Sequence, residues 1–286
     1  MNNDFIPTSE LITNPDGSVY HLHVKPGELS TNIITVGDPD RVDLVTDHFE
    51  KIEFKRESRE FVTVTGFFRG KRLSVISTGI GTDNIDIVLN EVDALFQVDF
   101  KTRKLKQEHT QLTFVRIGTS GALQENIPLN SFIASKKALA FDTLLQFYGS
   151  DNFEKLADWP YELEELRPLI TNCSPHLLES LPDDFFEGIT ATMPGFYAPQ
   201  GRNFRLASAL SNRLDELRNV TIEGENVTNL EMETSGIYGL AQLLGHKAIS
   251  LNAILANRFT GEFSDRPKQT IEKLIELSLG WISKEL

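Results

Sequence analysis

The chain has 286 residues, of which 40% are hydrophobic and 24% charged, a composition typical of a globular protein with a full apolar core. Its net charge of −13 excludes the basic surface of a nucleic-acid binder, and no apolar run is long enough to span a bilayer. The single cysteine, Cys173, excludes an internal disulfide and, with an N-terminus that lacks the features of a signal peptide, predicts a cytoplasmic protein.

Short apolar runs and helical patterns alternate along the chain. Asn32–Val36 is apolar and β-branched, which predicts a buried strand. Phe61–Phe68 and residues 73–77 flank the turn signal Arg69-Gly70 and predict a hairpin. Residues 85–96 carry apolar side chains at helical spacing. The remaining predicted elements are strands at 114–117 and 131–139, a mostly helical or irregular stretch at 152–184, strands at 188–192 and 227–230, a helix at 232–244, a strand at 247–255 and a helix at 269–286.

This alternation of strands with helices predicts the fold class. It favours an α/β fold in which a mixed sheet is largely buried between helices. No internal repeat, low-complexity segment or linker divides the sequence. We therefore expect one domain over residues 1–286.

Two segments combine glycine with arginine at the end of a predicted strand, where ligands bind in open α/β sheets. Gly37 is followed by Arg41 at a predicted helix start, an arrangement that suits a phosphate, although a simple capped turn is the alternative. Arg116 lies inside an apolar strand, so it needs either a core carboxylate or an anionic ligand. The Gly-Thr-Ser-Gly turn expected after it favours the ligand, and Thr119 adds a hydroxyl donor.

A third segment, FYAPQGR, places Gln200 two residues before Arg202. The amide is both a donor and an acceptor and the guanidinium is a fork of donors, a pair able to recognise a planar imide. Phe196 could stack on the ring of such a ligand. An ordinary polar loop is the alternative.

The fourth segment, NLEMET, places Glu231 and Glu233 at a predicted strand-to-helix junction. We expect the two carboxylates to face different ways, with one accepting hydrogen bonds from a diol. An acidic helix start is the alternative. No metal site is predicted, because His21 and His23 have no suitable third ligand near them in sequence.

Together the segments GDPDRV, STGIG, RIGTSGAL and NLEMET resemble the nucleoside phosphorylase family, which contains uridine phosphorylases, hexameric purine nucleoside phosphorylases and nucleosidases. The resemblance runs from about Tyr20 to the last predicted helix. FYAPQGR and the Asn257-Arg258 segment resemble the uridine phosphorylase branch, and the aspartate of the purine branch has no counterpart beside Arg258.

The resemblance implies a three-layer fold with a mixed, partly barrel-like sheet, and it implies roles for particular residues. Phosphate would be held by Gly37, Arg41, Arg116 and Thr119, with Arg59 reaching a neighbouring subunit's phosphate. The nucleoside would be bound by Phe196, Gln200, Arg202, Glu231, Met232, Glu233 and Arg258, with His21 donated by the partner subunit. Arg116, Glu233, Arg202 and Gln200 would act in catalysis.

The function that the resemblance implies is phosphorolysis of uridine to uracil and ribose 1-phosphate. A purine nucleoside phosphorylase or nucleosidase of the same fold is the alternative, and a nucleoside-binding protein without turnover is a remote one. No organic cofactor is implied. A monovalent cation near Glu60 and Ile80 stays open, because Asn84 replaces the usual serine. The expected assembly is a homo-oligomer, either a dimer with shared active sites or a hexamer of dimers.

Overall fold

A mixed β-sheet organises the computed structural model, which describes residues 5–157, 159, 167–208 and 213–286. The strands are β1 (Asn32–Val36), β2 (Lys51–Ser58), β3 (Phe61–Phe68), β4 (Lys71–Ser77), β5 (Val98–Asp99), β6 (Lys104–Leu105), β7 (Thr113–Ala122), β8 (Phe132–Ala140), β9 (Glu154–Lys155), β10 (Leu169–Asn172), β11 (Phe185–Thr192), β12 (Thr221–Ile222), β13 (Glu225–Glu231), β14 (Lys247–Asn257) and β15 (Glu262–Phe263). The helices are α1 (Pro39–Thr46), α2 (Thr82–Gln97), α3 (Leu144–Phe147), α4 (Pro175–Glu179), α5 (Arg213–Asn219), α6 (Thr234–Leu243) and α7 (Pro267–Glu285).

Part of the sheet closes on itself. The strands follow one another in the order β12-β13-β11-β8-β14-β7-β1-β4-β3-β2. Strand β13 pairs in parallel with β11 and also antiparallel with β7, so β13, β11, β8, β14 and β7 form a closed ring. Strands β1, β4, β3 and β2 extend from β7 as an open sheet. The predicted mixed, partly barrel-like sheet is confirmed.

Helices cover both faces of this sheet. Ile33 of β1 and Phe114 of β7 belong to one core cluster, in which they pack with the apolar face of α2. The next residues along the same strands, Ile34 and Val115, belong to a second cluster with side chains of α1 and α7. Alternation along a strand points successive side chains to opposite faces. The result is the three-layer α/β architecture that the sequence predicts.

The hairpin of β3 and β4 is confirmed, and its turn uses the residues expected. Arg69 and Gly70 both have positive φ angles, of 49° and 75°. Two such residues form the type of turn whose twist matches that of the flanking strands. In the described part of the chain, no helix has both the length and the apolar character needed to cross a membrane.

One sequence-based expectation for local structure is wrong, and another missed two short strands. The segment Gly118-Thr119-Ser120-Gly121 is not a turn, because β7 continues through it to Ala122 and pairs there with β14 and β13. For the stretch 152–184 the sequence predicts a mostly helical or irregular structure, and its described residues are mainly irregular or in α4, but they also include β9 and β10, and β10 pairs with the edge of β8. At 118–121, pairing with β14 and β13 overrides the local preference for a turn.

Candidate functional site

A cavity of about 920 Å³ opens where β1, β7, β13 and β14 end. All of the predicted site residues except His21 and Arg59 line it. These are Gly37, Arg41, Arg116, Thr119, Phe196, Gln200, Arg202, Glu231, Met232, Glu233 and Arg258. The topology thus brings together segments separated by more than two hundred positions in the sequence.

Arg41 lies in the first turn of α1, beside the chain's tight passage through Gly37. Asp38 caps this helix by accepting a hydrogen bond from the backbone N–H of Asp40, and a Cβ at Gly37 would lie 3.4 Å from the carbonyl oxygen of Gly79. The Arg41 guanidinium donates to the Ile117 carbonyl at 3.3 Å. Burial, followed by repulsion from Arg116, lowers the pKa of Arg41. No described carboxylate lies within salt-bridge distance of it.

Arg116 is 5% exposed and lies along the inner face of β7. Its Nη2 donates to Glu233 Oε2 at 2.6 Å and lies 3.1 Å from Glu231 Oε2. Its Nη1 donates to Asn252 Oδ1 at 2.6 Å. The guanidinium passes directly over Gly118, where a Cβ would lie 2.0 Å from Nη1. The sequence left either a core carboxylate or an anionic ligand as the partner of Arg116. The core carboxylates are present, and the same guanidinium still faces the cavity.

Glu231 and Glu233 do not face different ways, as the sequence led us to expect, because both converge on Nη2 of Arg116. Glu231 takes the helix-capping role: its carboxylate accepts hydrogen bonds from the backbone N–H groups of Glu233 and Thr234 and from the hydroxyl of Thr192. Glu233 is the N-cap by position but makes no capping bond.

The carboxylate of Glu233 instead bridges two elements of the cavity wall. Its Oε1 accepts from the backbone N–H of Gly81 at 2.8 Å, while its Oε2 faces Arg116. Burial raises the pKa of Glu233, and the charge of Arg116 opposes that rise. The cluster of one cation and two carboxylates leaves one negative charge unbalanced, next to Arg41.

Gln200 and Arg202 form a preassembled pair at the cavity wall. A short helical turn, Ala198–Gln200, ends at Gly201 in the left-handed conformation (φ 64°), which brings Arg202 back over Gln200. The guanidinium donates to Gln200 Oε1 and to the Phe196 carbonyl, and it lies 3.7 Å from the centre of the Phe196 ring. Gln200 is 2% exposed, and its amide nitrogen donates to none of the described residues. An ordinary polar loop would not bury this amide.

Arg258 lies beside this pair and contributes a second guanidinium. Burial lowers the pKa of Arg202 to about 10, and the charge of Arg258 adds to that effect. Burial also lowers the pKa of Arg258. Both remain protonated at neutral pH. Neither is within salt-bridge distance of a carboxylate in the described ranges, so this wall of the cavity is positively charged.

His21 and Arg59 lie together outside the cavity, on one surface patch. His21 is held by Glu91 of α2, with 2.6 Å between His21 Nδ1 and Glu91 Oε1. The hydroxyl of Ser58 donates to the His21 carbonyl at 2.6 Å, and Arg59 stacks on the ring of Tyr20. Within a single chain, therefore, neither residue reaches the site that the resemblance assigns to it.

Sequence reasoning missed several residues of the site. Asn252, a partner of Arg116, is fully buried in a mainly apolar strand. A polar side chain in such a run is the signal that identified Arg116, so it could have identified Asn252 too. Phe263 lines the cavity from the short strand β15, is 67% exposed and gives no such signal. Glu60, Ile80 and Asn84, beside which the resemblance leaves a monovalent cation open, also line the cavity.

Comparison with known proteins gives a consistent set of similarities. The family model of the phosphorylase superfamily matches residues 31–279. The chain is 33% identical over 251 residues to the uridine phosphorylase of Thermococcus kodakarensis, covering 87% of this chain and 80% of that protein. It is 25% identical to a DeoD-type purine nucleoside phosphorylase of Colwellia psychrerythraea, with 91% and 97% covered. A Trypanosoma brucei nucleoside phosphorylase, whose crystal structure is described as showing uridine phosphorylase activity, matches with a TM-score of 0.85 and 27% identity over 96% of this chain and 99% of that one.

Replacing Glu231 tests its structural role. We expect Glu231→Gln to lower the free energy of unfolding by ~3 kcal/mol, because an amide NH₂ would then face the donors of Arg116 and of the α6 N-terminus. Urea denaturation followed by circular dichroism measures the change. Glu223→Gln is the matched control, since Glu223 pairs with Lys137 at the exposed surface and its loss should leave stability nearly unchanged. Equal effects of the two substitutions would contradict the assignment.

Proposed function

The chain belongs to the phosphorylase superfamily, and within it we propose that this protein is a uridine phosphorylase, which uses inorganic phosphate to split uridine into uracil and ribose 1-phosphate. One observation carries the proposal. A buried amide–guanidinium pair, Gln200 and Arg202, lines the same cavity as a second, separate pair of guanidinium groups, Arg41 and Arg116. The imide of uracil fits the amide–guanidinium pair, and the phosphate anion fits the two guanidinium groups.

The phosphate is held at the Arg41 side. Arg41 has a buried positive charge with no described carboxylate within salt-bridge distance, and an anion in contact with it would satisfy that charge at little reorganisation cost. The first turn of α1 and the hydroxyl of Thr119 add donors at the same wall. Arg116 contributes a further guanidinium whose position is fixed by Glu231 and Glu233.

The uracil base is read at the opposite pair. Its N3–H can donate to the Gln200 carbonyl oxygen, while the Gln200 amide and the Arg202 guanidinium donate to the two ring carbonyls. Phe196, on which Arg202 already stacks, provides an aromatic surface beside the ring. Met232 and Glu233 lie on the wall that would face the ribose, where the Glu233 carboxylate accepts hydrogen bonds from its hydroxyls.

The reaction needs positioning and electrostatics. The bond between the anomeric carbon and the uracil nitrogen breaks, and its electron pair passes to the base. A phosphate oxygen then forms the new bond to the anomeric carbon. Arg202 and Gln200 stabilise the charge that builds on the uracil carbonyls, and the phosphate stabilises the positive character of the sugar. Hydrogen phosphate loses its proton as its oxygen becomes the ester oxygen of ribose 1-phosphate, and the departing uracil anion gains one, so the overall reaction balances.

The proposal includes the assembly and the ions that the site needs. His21 and Arg59 occupy one patch outside their own cavity, which supports a homo-oligomer, at least a dimer, in which each chain completes its partner's site. Glu60, Ile80 and Asn84 share the cavity wall and provide oxygen ligands for a monovalent cation. Inorganic phosphate is a co-substrate, no organic cofactor takes part, and the enzyme acts in the cytoplasm.

A panel of nucleosides tests this function. Uridine and inosine are incubated with the protein, each with and without phosphate, and base release is measured by chromatography. We expect uracil release that requires phosphate, and little hypoxanthine release. Hypoxanthine as the main product would indicate a purine nucleoside phosphorylase, and phosphate-independent release would indicate a nucleosidase. Binding without any release would indicate a nucleoside-binding protein.

The uracil-reading role of Gln200 predicts a specific kinetic change. Gln200→Ala removes two of the hydrogen bonds to the base, and we expect the KM for uridine to rise at least about tenfold. The KM for phosphate should change less than about twofold, because the anion lies at the other arginine pair. Gln242→Ala, at an exposed position of α6, is the matched control. An unchanged KM for uridine would remove this assignment.

Gly118 offers a test of the Arg116 position without altering any charge. In Gly118→Ala the new methyl group would occupy the space of the Arg116 guanidinium, which must then move. We expect kcat/KM for phosphate to fall at least about tenfold, since misplaced charges stabilise the transition state poorly. Gly280→Ala in α7 meets no atom within 4 Å and serves as the control. Full activity of Gly118→Ala would show that the Arg116 position is not needed.

A further inference from the structure

A chain of hydrogen bonds starts at Arg116 and runs through the interior of the five-stranded ring. The Arg116 guanidinium of β7 donates to Asn252 Oδ1 of β14 at 2.6 Å. The Nδ2 of Asn252 then lies 3.1 Å from the hydroxyl of Ser135 on β8. Both bonds are buried, so water does not compete for these groups.

The chain continues around the ring and returns to β7. The hydroxyls of Ser135 and Thr190, on β8 and β11, lie 2.6 Å apart. The hydroxyl of Thr190 lies 2.9 Å from Asn229 Oδ1 of β13, and Asn229 Nδ2 lies 2.9 Å from the hydroxyl of Ser120 on β7. Each strand of the ring supplies a member, in the order in which the strands pair. The circuit begins and ends on the same face of β7, four residues apart.

The two asparagine side chains determine which group donates in each bond, and Asn229 Oδ1 also accepts a hydrogen bond from the Thr228 hydroxyl. A guanidinium is a donor only, so Asn252 must accept with its carbonyl oxygen and donate with its amide. Thr190 donates its single hydroxyl hydrogen to the carbonyl oxygen of Asn229, so the bond between Ser135 and Thr190 is donated by Ser135.

The last bond determines what Ser120 can do. The amide of Asn229 donates to the Ser120 oxygen, so the Ser120 hydroxyl keeps its hydrogen. Ser120 lines the cavity. Its hydrogen has no acceptor among the described residues and is therefore available to a ligand in the cavity, and the charge on Arg116 polarises the bonds that lead to Ser120.

The four intermediate residues do not touch the cavity. Asn252, Ser135, Thr190 and Asn229 are all 0% exposed, and none of them lines it. Any effect they have on a ligand must therefore pass through Arg116 or Ser120.

Resting on the proposed function, we propose that Asn252, Ser135, Thr190 and Asn229 are positioning residues for phosphorolysis. They hold the Arg116 guanidinium and set the Ser120 hydroxyl as a hydrogen-bond donor to an oxygen atom of the bound substrates. Arg116 and Ser120 both lie on β7 and do not contact each other along that strand. The hydrogen bonds through the interior of the ring couple them instead.

Breaking the chain at its midpoint tests the coupling. Thr190→Val keeps the shape of the side chain and removes its hydroxyl, and Thr190→Ser restores the hydroxyl. Ser120→Ala is made in the wild type and in both Thr190 backgrounds, and kcat/KM for uridine phosphorolysis is measured. We expect Ser120→Ala to cost about fivefold in the wild type and in Thr190→Ser, the cost of one hydrogen bond, but less than about twofold in Thr190→Val. An equal cost in all three backgrounds would overturn the proposal.

A matched control separates the loss of the Thr190 hydrogen bonds from the general effects of a buried Thr→Val change. Thr63 is fully buried in β3, and its hydroxyl has no hydrogen-bond partner among the described residues. We expect Thr63→Val to leave activity unchanged and to leave the cost of Ser120→Ala at about fivefold. If Thr190→Val does not fold, Ser135→Ala breaks the chain one strand earlier and takes its place in the same scheme.

A structural measurement keeps this proposal separate from the proposed function. The wild type is first assayed for phosphate-dependent uracil release, and its absence would defeat the function alone. The chain of hydrogen bonds is then tested by the crystal structure of Asn252→Ala. In it we expect the Arg116 guanidinium to move by about 1 Å and the Ser120 side chain to change rotamer. If Arg116 and Ser120 both stayed in place, the proposed coupling between them would be overturned.

Discussion

The burial of one positive charge, that of Arg116, constrains the structure around the cavity. A guanidinium out of water must be neutralised and its donors must be bonded, or the fold loses several kcal/mol. The partners come from different elements: Glu231 ends β13, Glu233 precedes α6 and Asn252 lies in the middle of β14. The Arg116 guanidinium has room because residue 118 is a glycine and has no Cβ in its path. Satisfying this charge therefore fixes the relative positions of three strands and a helix.

The other guanidinium groups of the cavity are in the opposite situation. Arg41, Arg202 and Arg258 are wholly or partly buried, yet none of them has a described carboxylate within salt-bridge distance. The chain as a whole carries a net charge of −13, so carboxylates are not scarce. Carboxylates also line the cavity, but no described one forms an ion pair with these three arginines, so their guanidinium groups are available to an anionic or carbonyl-rich ligand. The fold thus separates one arginine that is held by the protein from three that are left for ligands.

The sequence predicts the fold class and most of the cavity, because both depend on local patterns. Apolar periodicity located β1, α2 and the β3–β4 hairpin, and glycine–arginine segments at strand ends located Arg41 and Arg116. What failed depends on contacts between distant segments. Gly118 to Gly121 have the composition of a turn and become a strand only because β14 and β13 pair with them. The convergence of Glu231 and Glu233 on one nitrogen, and the position of His21 away from its own cavity, likewise arise from tertiary packing.

The polar interior of the five-stranded ring follows from the same charge. A small closed ring is usually filled with branched apolar side chains, which need no partners and give a dense core. Here Asn252, Ser135, Thr190 and Asn229 occupy that interior and are fully buried. Replacing a buried polar network by well-packed apolar groups is often neutral or stabilising, so stability alone does not account for these residues. The two asparagines give the bonds of the network defined donors and acceptors, which an apolar core cannot do. The hydrogen bonds inside the ring therefore link the orientation of the Ser120 hydroxyl to that of the Arg116 guanidinium. We attribute the polar side chains of the interior to this role in the site and not to stability.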